Sequence, residues 1–219
     1  MNRRTRLKVC GLTRKDQALA AASQGVDSIG LVFHQSSPRA LELDTGLAIR
    51  QAMPPFVTVT ALFLDESEDW VAQIVHQLRP DCLQFHGREP EEFCAAWMIP
   101  YIKAIPMGSD VNPHAYARQY PSAQGFLLDS NVAGRLGGSG DTFDWSKIPT
   151  SFDAPLILAG GLTPSNVAEA ITRIRPWGVD VSSGVEISKG IKSAQLIEQM
   201  LHEIAQGDAN VGNDRQESK

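Results

Sequence analysis

The sequence has few of the residues that build metal, nucleotide or disulfide sites. It contains three cysteines in 219 residues, none spaced as Cys-x-x-Cys, which argues against a disulfide framework and against a cysteine zinc site. The five histidines are dispersed and form no His-Glu-x-x-His pattern. The Gly-x-Gly-x-x-Gly and P-loop patterns are both missing, which argues against the common nucleotide sites. The sequence therefore predicts neither a metal site nor one of the common nucleotide sites.

Long apolar runs and strong charge are lacking as well. No run reaches the length of a membrane span, and the first ten residues, MNRRTRLKVC, contain no apolar signal core. We expect a reducing, cytoplasmic compartment in which the thiols stay free. The net charge of −5 and the scattered basic residues argue against a nucleic-acid partner and against binding at a membrane surface.

Short apolar runs alternate with stretches of helical period along the chain. Eight runs are typical of strands buried on both faces: 6–10, 28–33, 57–64, 82–86, 101–106, 125–129, 155–160 and 178–183. Eight strand–helix units in about 200 residues predict a single-domain α/β protein, a (β/α)8 TIM barrel over residues 1–206. An open doubly wound sheet is the alternative. Residues 207–219 are polar, lack periodicity and are predicted to form a disordered tail.

Polar residues gather where the predicted strands end, which is where barrels carry their chemistry. Cys10 ends the first strand and is either an inert core thiol or a base. Asp129 ends the sixth strand, and because aspartate is poor in strand interiors it is either a loop cap or a functional acid. His86, after the fourth strand, is a proton carrier, a ligand or a hydrogen-bonding structural residue, and for an isolated histidine the structural role is favoured.

Glycines and serines follow the seventh and eighth strands. The segment AGGL contains Gly160 and Gly161, and DVSSG contains Ser182, Ser183 and Gly184. Glycines let backbone N–H groups approach a ligand, helix N-termini favour anions, and barrels often build a phosphate site from these two loops. The alternative is that these glycines only form tight turns. Two such loops after consecutive strands, the seventh and the eighth, favour a phosphate site.

Three charged side chains have two interpretations each. Arg39, after the second strand, is either a solvated residue or a fork for a carboxylate or phosphate. Lys8 and Cys10 share one face of the first strand. If that face points into the barrel, Lys8 requires an acid such as Asp180. The alternative is that either lysine, Lys8 or Lys103, ends outward, between strand and helix.

Seven motifs recur in a fixed order over residues 6–205: KVCGLTR, the SPRA loop, LQFHG, LLDS, the GGSGDTFDW run, LAGGL and VDVSSGVE. Together they resemble the phosphoribosylanthranilate isomerase family of tryptophan biosynthesis. The resemblance implies a (β/α)8 barrel without cofactor or metal. It also implies an Amadori rearrangement of N-(5′-phosphoribosyl)anthranilate to 1-(2-carboxyphenylamino)-1-deoxyribulose 5-phosphate. The segment SKGIKSAQ departs from the family's usual Pro-Gly-x-Lys-Asp, with Ser193 in place of the acid and Lys189 in place of the proline.

The resemblance also implies roles for single residues. Cys10 is expected to be the general base, Asp129 the general acid, and Arg39 the partner of the anthranilate carboxylate. Opening the sugar ring takes a proton from Asp129, for which a raised pKa is expected. The other substrate-binding residues are expected at the ends of the last two strands: Gly160, Gly161, Asp180, Ser182, Ser183 and Gly184.

Three alternatives fit the sequence less well. Indoleglycerol-phosphate synthase uses a catalytic lysine at a strand end, and neither the second nor the third strand ends in one. The histidine-pathway isomerase uses two aspartates, whereas the first strand here ends in Cys10. A phosphometabolite-binding protein would need the glycine loops but neither Cys10 nor Asp129. We expect a small sugar-phosphate substrate and a monomer or homodimer, without nucleic-acid or membrane partners.

Overall fold

Eight parallel strands close into a barrel in chain order. The computed structural model describes residues 4–131, 144–149 and 151–217, so that most of the GGSGDTFDW run lies outside the described residues. Because β1 pairs with both β2 and β8, the sheet is closed, which confirms the predicted (β/α)8 barrel and excludes the open sheet. The strands are β1 (Arg6–Cys10), β2 (Ser28–Val32), β3 (Thr58–Phe63), β4 (Cys82–Phe85), β5 (Tyr101–Pro106), β6 (Gly125–Asp129), β7 (Leu156–Leu158) and β8 (Gly178–Val181).

Helices follow the strands and cover the outside of the barrel. They are α1 (Lys15–Ser23), α2 (Leu43–Ala52), α3 (Glu68–Leu78), α4 (Glu91–Ala95), α5 (Pro113–Ala117), α6 (Val167–Ile174) and α7 (Ala194–Glu217). The start of α3 shows how the sequence sets such a boundary, because the Ser67 side chain accepts a hydrogen bond from the Trp70 N–H. Within the described ranges, none of these helices combines the length and apolarity needed to cross a bilayer.

The strands bury both faces. Alternate residues such as Leu7 and Val9 point outward into the main hydrophobic core, under the helices. The opposite face points into the barrel, where Cys10, Val32 and Leu62 form a small separate cluster. Inward positions of neighbouring strands also carry polar side chains, and these polar residues form the floor of the site described below.

A two-stranded hairpin that the sequence pattern did not predict follows β8. It consists of β9 (Glu186–Ser188) and β10 (Ile191–Lys192), which pair antiparallel before α7 begins. Gly190 at its turn has a φ of 80°, and the carbonyl of Gly190 accepts a hydrogen bond from the Thr13 hydroxyl at 2.7 Å. The hairpin therefore lies over the end of β1 and brings two charged residues to the mouth of the barrel.

The predicted disordered tail is corrected by the structure over residues 207–217, because α7 continues to Glu217. Asp208 accepts hydrogen bonds from the N–H and the hydroxyl of Thr5, at 2.8 and 2.6 Å. A Cβ at Gly207 would lie 3.0 Å from the carbonyl oxygen of Ala168, so that the helix packs closely on α6 at this point. The attachment combines the polar contact of Asp208 with the close approach of Gly207 and the packing of Val211 on the core, and these few positions form no apolar periodicity that would indicate it.

Candidate active site

One cavity opens at the C-terminal ends of the strands and collects most of the predicted site residues. The predicted residues that line it are Cys10, Arg39, Asp129, Gly160, Gly161, Asp180, Ser182 and Ser183. His34, Gln84 and His86 also line it. Gly184 lies just outside this lining, and a Cβ there would collide with the Leu162 carbonyl oxygen. Gly184 is therefore needed for the close contact between the last two loops.

Cys10 lies at the end of β1 and is 6% exposed. A Cβ at Gly30 on the neighbouring strand would lie 2.7 Å from Cys10 Sγ and 3.0 Å from Lys8 Nζ. The glycine thus leaves the space in which thiol and ammonium group approach each other. Burial raises the pKa of Cys10, and the positive charges of Lys8 and Lys192 counteract this only in part, so that the free protein carries a thiol.

The other two cysteines differ from Cys10 in position. Cys82 and Cys94 are buried and do not border the cavity. Burial raises the pKa of Cys82 to about 11 and that of Cys94 to about 12. Their burial outside the cavity is typical of inert core thiols.

Lys8 points into the barrel and pairs with Asp180. The distance from Lys8 Nζ to Asp180 Oδ1 is 2.9 Å, and the two side chains are 6% and 8% exposed. Burial lowers the pKa of Lys8, but the Asp180 carboxylate outweighs it, so that the net direction is upward and the lysine stays charged. Of the two interpretations of Lys8, the inward one is confirmed.

Lys103 takes the outward interpretation. It shares a strand face with Tyr101 and Ile105, which belong to the outer core. Its Nζ lies 2.7 Å from Glu89 Oε2 and 2.8 Å from the Gly87 carbonyl oxygen. Lys103 therefore fixes the loop that directly follows His86.

Arg39 is held by a carboxylate that the sequence did not reveal. Arg39 Nε and Nη2 donate to the two carboxylate oxygens of Glu186, each at 2.8 Å. Lys192 Nζ lies 2.7 Å from Glu186 Oε1 and donates to the Ser182 carbonyl at 3.0 Å. Arg39 is 5% exposed, so it is not a solvated residue. Its other N–H groups remain for a ligand in the cavity, because a guanidinium has five donors.

A glycine at the end of β1 allows Arg39 to reach this position. Gly11 has a φ of 76°, a conformation that suits glycine, and a Cβ there would collide with Arg39 Cδ. The Cys-Gly pair of KVCGLTR therefore combines two functions. The first residue supplies a thiol to the cavity, and the second gives the arginine side chain room beside it.

Asp129 ends β6 and is 6% exposed. Its Oδ2 lies 2.9 Å from His86 Nε2 and accepts a hydrogen bond from Asn131 Nδ2 at 2.8 Å. Burial raises the pKa of Asp129, but the hydrogen bond and charge of His86 outweigh it, and Asn131 and Ser130 add to their effect. The net direction is downward, opposite to the raised pKa expected for an acid. The structure corrects that expectation because it places three donors around the carboxylate.

The two glycine loops lie side by side at the rim. Gly160 and Gly161 have φ values of 82° and 62°, which favour glycine. The Gly161 carbonyl accepts a hydrogen bond from Asn166 Nδ2 at 2.9 Å, and Asn166 Oδ1 accepts one from the Thr163 N–H at 2.8 Å. The loop is thus fixed just before α6. Among the described residues, no group of three or more His, Cys, Asp or Glu side chains is arranged to hold a metal ion.

Comparison with known proteins gives one consistent family. The family model of N-(5'phosphoribosyl)anthranilate (PRA) isomerase matches residues 7–203. The chain belongs to this family. A relative from Xanthomonas campestris pv. campestris, named N-(5'-phosphoribosyl)anthranilate isomerase, is 44% identical over 219 residues that cover 96% of this chain and 99% of its own.

Solved structures of phosphoribosyl anthranilate isomerases have the same fold. The crystal structure of the enzyme from Thermus thermophilus superposes with a TM-score of 0.81 at 33% identity, covering 92% of this chain and 98% of its own. A second is a complex with reduced 1-(o-carboxyphenylamino)-1-deoxyribulose 5-phosphate, with a TM-score of 0.74 at 31% identity and the same two coverages.

Proposed function

We propose that this protein is the isomerase of tryptophan biosynthesis that converts N-(5′-phosphoribosyl)anthranilate into 1-(2-carboxyphenylamino)-1-deoxyribulose 5-phosphate. The observation that carries this proposal is one cavity containing a thiol, a carboxyl group and a buried guanidinium, Cys10, Asp129 and Arg39. Membership of the family over residues 7–203 supports it. So does the relative that was solved with a reduced aminodeoxyribulose phosphate.

Ring opening is the first step. A proton passes from Asp129 to the ring oxygen of the ribose, and the bond between C1′ and this oxygen breaks with its electron pair on oxygen. The lone pair of the anthranilate nitrogen forms a C=N bond, which gives a protonated Schiff base. A positioned acid is typically worth about 10²–10⁴-fold in such a step.

Proton removal is the second step. The Schiff base makes the C2′ proton acidic, and the Cys10 thiolate removes it. The electron pair of the C–H bond forms the C1′=C2′ bond, and the C=N electrons return to nitrogen. The resulting enolamine takes a proton at C1′, from the Cys10 thiol or from solvent, and releases the proton of its C2′ hydroxyl to become the ketone. Since β1 and β6 are three strands apart around the barrel, the base and the acid flank the cavity from different sides.

Cations around Cys10 make this step accessible. Burial alone disfavours a thiolate, but Lys8 and Lys192 both favour it, and Arg39 lies close enough for the thiolate charge to act on its pKa. The thiolate formed during turnover is therefore stabilised by three positive side chains. Activity should accordingly rise with pH through the titration of Cys10.

Binding is assigned to the remaining groups of the cavity. The free N–H groups of Arg39 receive the anthranilate carboxylate, in the bidentate manner that guanidinium favours. The phosphate binds at the two glycine loops after β7 and β8. The Asp180 carboxylate accepts a hydrogen bond from a hydroxyl group of the sugar. The loop residues concerned are Gly160, Gly161, Ser182 and Ser183, and Gly184 acts by keeping the loops together. We also propose a cytoplasmic location, which three unpaired, buried thiols support.

Turnover in deuterated water tests the function directly. Purified protein is mixed with freshly prepared N-(5′-phosphoribosyl)anthranilate, and the loss of anthranilate fluorescence is followed. When the thiol proton exchanges with solvent before C1′ is protonated, the proposed steps place one carbon-bound deuterium at C1′ of the product. A folded protein that leaves the fluorescence unchanged would contradict the function.

A further inference from the structure

His86 is fixed in place between its own strand and the outer core. It directly follows β4, and its backbone N–H donates a hydrogen bond to the Phe63 carbonyl at 2.9 Å. The next residue, Gly87, donates to Glu89 at 3.0 Å and accepts from Lys103. The side chain of His86 is 9% exposed and borders the cavity. The imidazole ring is therefore held firmly between buried groups.

The ring connects two buried polar side chains. His86 Nε2 lies 2.9 Å from Asp129 Oδ2, and His86 Nδ1 lies 3.1 Å from Gln84 Nε2. An amide NH₂ only donates, so in this arrangement Nδ1 accepts and Nε2 carries the proton that faces Asp129. The structure thus shows Gln84, His86 and Asp129 joined by hydrogen bonds in one line across the barrel.

One atom of this line lacks a partner. Gln84 is fully buried, and Gln84 Oε1 makes no hydrogen bond with any part of the chain that the structure describes. Rotation of the amide by 180° exchanges its oxygen and nitrogen and brings Oε1 to His86 Nδ1. Such an oxygen accepts the second N–H of a protonated imidazole. Gln84 can therefore face both forms of the ring, donating to a neutral imidazole through Nε2 and accepting from an imidazolium through Oε1.

The acid step needs a proton that Asp129 does not keep by itself. Three donors, on His86, Asn131 and Ser130, point to the Asp129 carboxylate. Together they favour its ionised form, whereas ring opening requires that this carboxyl group deliver a proton. Of the donors, His86 has the ionisable one, since an asparagine amide and a serine hydroxyl do not release protons at neutral pH.

We propose that His86 is the positioning residue that holds, as an imidazolium, the proton which Asp129 delivers to the sugar. The Nε2 proton passes to the Asp129 carboxyl group, and the carboxyl group passes a proton to the ring oxygen as the bond between C1′ and that oxygen breaks. His86 is left neutral, with its remaining proton on Nδ1 facing Gln84 Oε1. A proton from water restores the imidazolium. This role for His86 rests on the proposed isomerase function.

Other charged groups face the pair and have to be taken into account in its titration. Asp180 on β8 interacts with both Asp129 and His86, and Lys8 on β1 neutralises Asp180 at 2.9 Å. Cys10, also on β1, shares the cavity. Lys8 compensates the charge of Asp180. The pair formed by His86 and Asp129 is therefore the dominant acid group at the cavity side of β4 and β6 among the described residues.

The test compares the pH dependence of kcat for the parent and for His86→Gln. Glutamine still donates a hydrogen bond to Asp129 but does not ionise. We expect a kcat about 10²-fold lower at neutral pH, little change in KM, and a deficit that narrows as the pH falls, because Asp129 then keeps its own proton. His76→Gln, on the exposed side of α3, is the matched control and should behave like the parent.

Equal kcat of parent and His86→Gln at every pH would overturn the proposal, since a hydrogen bond to Asp129 without an ionisable group would then suffice for the acid step. A loss of kcat that is the same at every pH would overturn it too, since His86 would then only maintain the geometry of the site. An inactive parent would instead refute the isomerase function. Should His86→Gln fail to fold, His86→Asn, which also donates a hydrogen bond without ionising, takes its place in the same comparison, with the same expected and contradicting results.

Discussion

Lys8 and Asp180 form an ion pair inside the barrel, two residues below the thiol of Cys10. They are register partners on β1 and β8, and their Nζ–Oδ1 distance is 2.9 Å. Ion pairs this deeply buried are costly to assemble and still more costly to break on one side. The pair thus ties the closing strands of the barrel together and places a permanent positive charge beside the proposed base.

The first prediction concerns this pair. Lys8→Met leaves the Asp180 carboxylate buried without a partner, and we expect a loss of about 3–5 kcal/mol in the free energy of unfolding. For a chain of this size that lowers Tm by on the order of 10 °C. The double variant Lys8→Met/Asp180→Leu should recover much of the loss. Thermal unfolding of the parent, the single variant and the double variant checks this. Equal Tm values for the single and the double variant would show that Lys8 and Asp180 do not act as a unit.

The second prediction concerns the acidity of Cys10. Its raised pKa means that the thiolate fraction is small at neutral pH and still increasing above the ordinary thiol pKa. We therefore expect the rate of alkylation of the free protein by iodoacetamide to rise with pH on the alkaline side. The kcat at saturating substrate should rise with it only until the acid of the ring-opening step loses its proton. Mass spectrometry of the modified peptide measures the alkylation rate, and a plateau of that rate already at pH 7 would contradict a raised pKa.

The third prediction concerns Arg39. Arg39→Gln removes the donors assigned to the anthranilate carboxylate, and charge-assisted hydrogen bonds are worth about 1.5–3 kcal/mol. KM should rise by on the order of 10–10²-fold while kcat changes less. Arg39→Lys should fail to restore KM, because an ammonium group does not reproduce the bidentate contact. Restoration by lysine would mean that charge alone, not the geometry held by Glu186, decides binding.

The sequence predicted the barrel well because each strand is an apolar run that ends in recognisable residues. It did not reveal the hairpin β9–β10, which is short and has no apolar pattern. The sequence therefore does not indicate the role of Glu186, which lies 147 positions from Arg39 in the chain. Glu186 nevertheless determines how the Arg39 side chain is oriented. For His86 the sequence favours a structural role, and it does not indicate the contacts with Gln84 and Asp129, because these exist only once the barrel has closed.

The same limit explains the direction of the Asp129 titration. The position of the aspartate at the end of an apolar strand indicates burial, and burial alone raises a carboxyl pKa. The donors that reverse this direction come from the residue just after β4 and from the residues just after β6. A sequence pattern reports where a side chain is buried, but it does not report which donors meet it there.

The fourth prediction concerns the phosphate loops. Gly160→Ala places a Cβ 2.7 Å from the Ser130 nitrogen, at a φ of 82° that alanine rarely adopts. The loop has to shift, and we expect inorganic phosphate to inhibit the variant at least several-fold more weakly than the parent. Gly25→Ala is the matched control, because Gly25 also has a positive φ but a Cβ there meets nothing within 4 Å. Equal phosphate inhibition of parent and Gly160→Ala would contradict a phosphate site at this loop.

The most direct measurement of the central claim is the turnover of N-(5′-phosphoribosyl)anthranilate by Cys10→Ser and Asp129→Asn beside the parent. Cys82→Ser, the same exchange at a buried cysteine outside the cavity, is the control. We predict that both site variants stay folded and lose about 10²–10⁴-fold in kcat, while Cys82→Ser keeps most of the parent rate. A folded Cys10→Ser variant with the parent's kcat would show that the thiol belongs to the core and that another group removes the proton.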